Sequence, residues 1–314
     1  MIRYRNAALF VALAVAWGAA FTAIKAGLAY FPPVLFAAYR YDLAAVMILA
    51  YAAYATDRWR PRTRDEWLAV ASGGALMIAA YHALLFVGEQ GTTSAAAAII
   101  VGLSPILTTA FARAFLPDEA LTVLGMVGLL LGFGGVAVLS DPDPNDLLGA
   151  GTVSELLVLL AAASFALGSV LTRRVDPGLP VETLQGWAML VGALLMHVVS
   201  VGIGESPSAV RWTPEAVAAL GYLVVIASAL GFLVYFDLLE RLGPVEINLV
   251  SYAAPVAAAA TGIVFLGEDP TVRTVAGFGL VLAGFVLIKR RALREELGVW
   301  RAGRAGERPD EGGR

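Results

Sequence analysis

The chain has 314 residues, 59% of them hydrophobic and 15% charged, with a formal net charge of −3 and no cysteine. Soluble domains carry about 25% charged residues, so this composition excludes an ordinary soluble chain and points to one that lies in a bilayer. Without cysteine there are no disulfides, thiolate metal sites or cysteine nucleophiles.

Windows of about 20 apolar residues predict ten membrane spans: 7–27, 33–54, 67–88, 92–112, 121–139, 153–172, 184–203, 216–236, 245–266 and 272–289. The first follows Arg3 and Arg5 and imitates a signal peptide. Its apolar stretch is too long for one, and the sixth span repeats it, so an uncleaved helix is expected. In this span Gly18, Thr22 and Lys25 share a stripe beside Trp17. The second span carries Arg40 and Asp42 well inside it, where an ionised side chain costs about 2.5–3.5 kcal/mol and needs a partner. Two residues apart, they point to roughly opposite faces and are not each other's sole partner. Arg40 suits either a substrate carboxylate or backbone carbonyls. Asp42 suits either a protonatable coupling site or a structural ion pair. On the third span His82 and Glu89, seven apart, share a stripe with Tyr81 beside them. These are candidates for a proton route, against a reading of His82 as a hydrogen-bonded packing residue.

Pro105 in the fourth span and Pro255 in the ninth remove a backbone donor and free the carbonyls of Val101 and Ser251. Both read as hinges or cavity-lining kinks, the alternative being kinks for packing alone. Gly128 and Gly132 form a GxxxG pair in the fifth span, with Gly279 and Ala283 the small-residue equivalent in the tenth. Such pairs admit close helix approach, within the chain or in a homodimer. Trp187 in the seventh span could wall a cavity, as could Trp17. Ser228, Gly231 and Tyr235 form a stripe on the eighth span, and Asn248, Ser251, Tyr252 and Pro255 recur at i, i+3, i+4 and i+7 on the ninth. Polar stripes avoid lipid, so they face a cavity or make interhelical hydrogen bonds. The residues after 290 are a charged tail, expected to be partly disordered.

The stretch SPILTTAFARAFLPDE at 104–119 is echoed by APVAAAATGIVFLGED at 254–269, aligning Pro105 with Pro255 and Asp118-Glu119 with Glu268-Asp269. AWGAAFTAIK at 16–25 likewise resembles ASFALGSVLTRR at 163–174. Five spans per half is an odd number, so homologous halves lie upside down relative to each other. The expected organisation is an all-α integral membrane fold of ten transmembrane helices in two inverted five-helix repeats. Its parts are 1–140, an outer linker 141–150, a second repeat 151–290 and a cytoplasmic tail 291–314. Arg58, Arg60, Arg62, Arg64, Arg173 and Arg174 fall on one face, and only Arg211 and Arg273 in the loops of the other. By the positive-inside rule both termini are expected in the cytoplasm of a cell-membrane protein.

Trp17-Gly18, Lys25, Arg40 and the two proline-to-acid blocks carry a resemblance to the EamA family of the drug/metabolite transporter superfamily. It covers about residues 5–290, with Ser164-Phe165 standing where the first half has Trp17-Gly18. The resemblance implies a central cavity and export of amino acids, other metabolites or drugs, although some such members import. No Walker A loop, HExxH or GxSxG is present, so neither an ATP-driven pump nor a hydrolase is indicated. The expectation is a gradient- or proton-driven secondary transporter, not an enzyme, without cofactor or metal. A non-transporting scaffold or sensor is the alternative from another class. Expected partners are the bilayer and a small solute, with a proton and a second copy of the chain left open and no nucleic acid.

Overall fold

An unpartnered peptide group in hydrocarbon costs several kcal/mol, so a chain this apolar crosses a bilayer as helices that satisfy their own backbone. The computed structural model describes residues 2–115, 123–140, 149–175, 178–242, 247 and 249–306. It contains α1 (Arg5–Gly27), α2 (Pro33–Ala55), α3 (Arg64–Gly88), α4 (Ser94–Phe115), α5 (Leu124–Ser140), α6 (Ala150–Val175), α7 (Val181–Gly202), α8 (Pro214–Leu239), α9 (Val250–Leu266) and α10 (Val272–Ile288). Seven are long and apolar enough to cross a membrane unaided, and α5, α9 and α10 are shorter apolar helices. The expected all-helical membrane fold of ten spans is therefore what the described residues show.

Local sequence sets the helix starts. Thr63 and Glu66 form a reciprocal capping box at the head of α3. Thr93 caps α4 through the Ala96 N–H, and Thr213 followed by Pro214 opens α8. Such caps contribute about 1 kcal/mol each.

The packing maps onto itself when the halves exchange. α2 packs on its counterpart α7, and α5 on its counterpart α10. α1 packs on α8 and α9, while its counterpart α6 packs on α3 and α4. The loops 56–63 and 178–180 lie on an arginine-rich face, and 28–32, 89–93, 203–213 and 267–271 on an arginine-poor face.

Three details differ from the sequence reading. α4 is interrupted by a turn at Gly102-Leu103, so Pro105 is the second residue of a new helical stretch, Ser104–Phe115, and not a kink within a continuous helix. The Val101 carbonyl there accepts the Ser104 hydroxyl at 2.7 Å. By contrast Pro255 does lie inside a continuous helix, Val250–Thr261. The last helix runs on from Val272 to Gly306, where partial disorder of the tail was expected.

The third difference concerns glycine. The α5–α10 seam is a run of backbone contacts between Gly128 and Gly284 and between Gly135 and Gly277, whereas Gly279 faces open space. Gly128 is thus used within the chain, and Gly132 packs on Leu103 and Ile106 of α4. A Cβ on Gly128 would stand 2.7 Å from the Gly284 carbonyl oxygen. Gly284→Val is expected to destabilise the fold by about 1–3 kcal/mol through overpacking, while Gly279→Val is silent. Thermal unfolding of both in one detergent checks this, and equal melting temperatures would contradict it.

Candidate functional site

The end of α1, the first turns of α2 and the end of α3 bring several polar side chains together under the arginine-poor face. Lys25, at the end of α1, donates its ammonium to three backbone carbonyls past the end of α3: Glu89 at 2.8 Å, Gln90 at 3.1 Å and Thr92 at 2.7 Å. A helix C-terminus offers such unpaired carbonyls and favours a cation. Glu268, beyond the end of α9, accepts from the Ser94 N–H at 2.9 Å and the Ser94 hydroxyl at 3.1 Å, sealing the head of α4.

Between these lies Glu89. It is 0% exposed, and both carboxylate oxygens are buried without a hydrogen bond from any described residue. The charges acting on it are Lys25, Glu268 and Arg40. Arg40 is 7% exposed and donates its Nε to the Ser228 hydroxyl of α8 at 3.2 Å. Its guanidinium carbon lies 5.1 Å from the Tyr41 ring centre. Among the described residues the two Nη groups of its fork have no hydrogen-bond partner. Tyr81 stands beside His82 with ring centres 4.4 Å apart.

His82 itself is satisfied. Its Nδ1 lies 2.9 Å from the Ile78 carbonyl, which can only accept, so Nδ1 carries the proton. In the neutral ring Nε2 then accepts the Tyr41 hydroxyl at 2.6 Å. This geometry favours the packing reading of His82. Asp42 likewise has a partner that sequence spacing did not reveal: the His197 Nε2 of α7, at 2.7 Å. That pair sits about one third exposed.

The remaining candidates are spread through the molecule. Trp17 donates its indole N–H to the Ala227 carbonyl at 3.0 Å and lies 5.5 Å from the Tyr235 ring. Thr22 bonds Thr261 of α9 at 2.6 Å. Tyr252 is buried against Phe285 with its hydroxyl unpartnered among the described residues. The Ser251 carbonyl, freed by Pro255, lies against Gly102. Trp187 is at the arginine-rich face, donating to the Trp59 carbonyl at 2.9 Å with its ring edge on Trp67. Asn248 lies outside the described residues.

The arginine-poor face is closed by bonds between the halves. Glu205 accepts from the Val34 and Leu35 N–H groups at 3.0 and 2.8 Å, capping α2, and Arg211 donates to the Ala29 carbonyl. The sequence reading missed Glu205, Thr261 and Ser228's role because each acts across more than 150 residues. A cavity of about 330 Å³ opens toward the other face, lined by Met77 of α3, Ser169 and Thr172 of α6 and Leu184 of α7. Another of about 210 Å³ lies between α5 and α6 beside Glu155.

Removing a charge from a buried carboxylate without a partner is neutral or stabilising, whereas orphaning buried carbonyls costs about 1–3 kcal/mol. Glu89→Gln is therefore expected to melt at or above the parent temperature, and Lys25→Met below it. A lower melting temperature for Glu89→Gln would show that the carboxylate has a partner.

Comparison with known proteins agrees with this architecture. The profile of the EamA-like transporter family matches residues 5–141 and 152–290. The uncharacterized transporter YvbV of Bacillus subtilis is 27% identical over 92% of this chain and 92% of its own length. The uncharacterized inner membrane transporter YedA of Escherichia coli is 27% identical, covering 90% of this chain and 89% of its own. A protein of Streptantibioticus cattleyicolor named "Probable terminal-alkyne amino-acid exporter" is 31% identical over 89% of this chain and 91% of its own. A protein crystal structure superposes with a TM-score of 0.64 at 22% identity, covering 93% of this chain and 99% of that one, a likeness of fold. With two family domains spanning nearly its whole length, the chain belongs to the EamA-like transporter family and is a multi-pass membrane transporter, not an enzyme.

Proposed function

We propose that this transporter exports a small amino-acid-like metabolite by alternating access and drives it by exchange with protons. The observation that carries the reading is Glu89, a fully buried carboxylate with two unused acceptor oxygens. A charge held there in isolation costs several kcal/mol, so the group favours a bound proton or a bound cation. Proton and substrate ammonium would then compete for one carboxylate, which couples their movements in opposite directions.

The substrate class follows from hydrogen-bonding capacity that the protein leaves unspent. Arg40 holds its position through Nε and keeps a planar fork of Nη donors for a carboxylate. Glu89 supplies the acceptor for an ammonium, and Tyr81, beside His82, offers aromatic wall. The named relative from Streptantibioticus cattleyicolor supports an amino-acid-like solute. The arginine distribution supports cytoplasmic termini, with the arginine-poor face outward. In that orientation the bonded outer face and the cavity toward Met77 and Thr172 support a conformation closed to the outside. The two inverted halves then exchange roles to open the other side.

Counterflow in proteoliposomes loaded with labelled neutral amino acids tests this. External acid is expected to accelerate efflux through protein oriented with its arginine-poor face outward, because protons displace substrate at Glu89. Glu89→Gln should remove the acceleration. Arg40→Lys keeps charge but not the fork and should weaken substrate binding by about 1.5–3 kcal/mol, roughly ten- to hundredfold. Efflux unaffected by the gradient would overturn proton exchange, and acceleration by internal acid instead would indicate import.

A further inference from the structure

Among the described residues three helices leave the α-helical register, α9 at its end over Gly262–Leu266 and α3 and α8 in mid-helix, and the mid-helix pair is the one that the repeat relates. Gly73–Ala80 in α3 and Tyr222–Leu230 in α8 are π-helical. The repeat offset of 150 that aligns Pro105 with Pro255 also carries Tyr81 onto Gly231, the residues that close the two segments. In α3 the Tyr81 N–H, which an α-helix would give to Met77, goes to Leu76 and Ile78. In α8 the Gly231 N–H, which would go to Ala227, goes to Ile226 and Ser228.

A wide turn of this sort disturbs carbonyl pairing where no water can compensate. In both helices a side chain from the opposite half bonds a carbonyl of the segment. The Ala227 carbonyl accepts the Trp17 indole N–H at 3.0 Å, and the Leu76 carbonyl accepts the Ser164 hydroxyl at 2.8 Å. In the pairing of AWGAAFTAIK at 16–25 with ASFALGSVLTRR at 163–174, three residues short of the offset of 150, Trp17 and Ser164 match in α1 and α6, the lead helices of the two halves. Each segment thus takes one bond from the other half, an indole on the carbonyl that the Gly231 N–H leaves and a hydroxyl on Leu76, one residue before the corresponding Met77. Both segments also adjoin the site: Tyr81 and His82 follow the first, and Ser228, which holds Arg40, lies within the second.

Adding or removing one residue from a helical turn rotates everything beyond it by about 100°. We propose that the two π-helical segments are the joints on which the transporter changes the side its cavity faces, with Trp17 and Ser164 as positioning residues that each hold one joint in its wide register. The proposal rests on alternating access. Because the halves are inverted, releasing one joint favours opening to one face and releasing the other favours the opposite face. Two carbonyls capped only for packing would give no such difference in sign.

The chain has no cysteine, so spin labels can be placed cleanly. Pairs at Gln90 and Asp269 report the separation of the halves at the arginine-poor face, and pairs at Arg62 and Val181 at the arginine-rich face. Distance distributions would be measured for wild type, Trp17→Phe, Ser164→Ala and Ser164→Thr in lipid nanodiscs. Loss of one interhelical bond in a membrane should change the ratio of the two populations about threefold. Trp17→Phe and Ser164→Ala are expected to shift it in opposite directions, with Ser164→Thr behaving as wild type. Shifts in the same direction, or none, would overturn the joints. If Trp17→Phe does not fold, identical populations for Ser164→Ala and Ser164→Thr would overturn them alone. A single fixed distance at both faces in wild type, with neutral amino acids added, would overturn alternating access first, and the joints with it.

Discussion

Peptide groups that leave helical register inside a bilayer must be paired by the protein, because hydrocarbon offers them nothing. Much of this structure follows from how that requirement is met. Lys25 takes the carbonyls past the end of α3, and Glu268 takes the N–H at the head of α4. Ser104 takes the carbonyl at the α4 turn, and Trp17 and Ser164 bond the π-helical segments. Glu268, Trp17 and Ser164 reach across from the other half. The bonds that satisfy the backbone are therefore also bonds that hold the halves together, and a change of conformation has to exchange them.

The same accounting bears on the site. Several polar side chains have spent their capacity on backbone or on each other: buried His82 on Tyr41 and Ile78, buried Thr22 on Thr261, and half-buried Asp42 on His197. Among the described residues Glu89 and the Tyr252 hydroxyl have not, nor have atoms of Asn6, Arg113 and Glu155 elsewhere, and the Nη groups of Arg40 have no hydrogen-bond partner. Unspent groups in a low-dielectric interior are costly, so they are expected where a ligand or a proton completes them. Function is thus read from what the packing leaves over, and not from a motif.

The sequence revealed the spans because twenty-residue apolar windows are set by bilayer thickness, and revealed the repeat because proline-to-acid blocks recur in order. It placed Arg40 and Tyr81 on the helices that carry them and Glu89 on the third, which ends one residue before it, but could not say that His82 would be spent on Tyr41 or that Asp42 would find His197. Those outcomes depend on which helices pack together. The π-helical segments left no trace, since GGALMIAA and YLVVIASAL contain no proline and read as ordinary apolar helix. Trp17 opposite Ser164 looked like a departure between the halves. In the structure both donate to a carbonyl of the facing π-helical segment, a likeness of role that residue identity conceals. Gly279 faces open space in the chain for a related reason: spacing identifies small residues, but only the partner helix decides which of them face it.

The central claim is that substrate and proton share Glu89, and linkage offers the most direct test. The purified protein in weakly buffered detergent would be mixed with neutral amino acids while pH and bound label are followed together. The account predicts release of about one proton per substrate bound by the wild type and none by Glu89→Gln. Saturable binding to the wild type without proton release would contradict it.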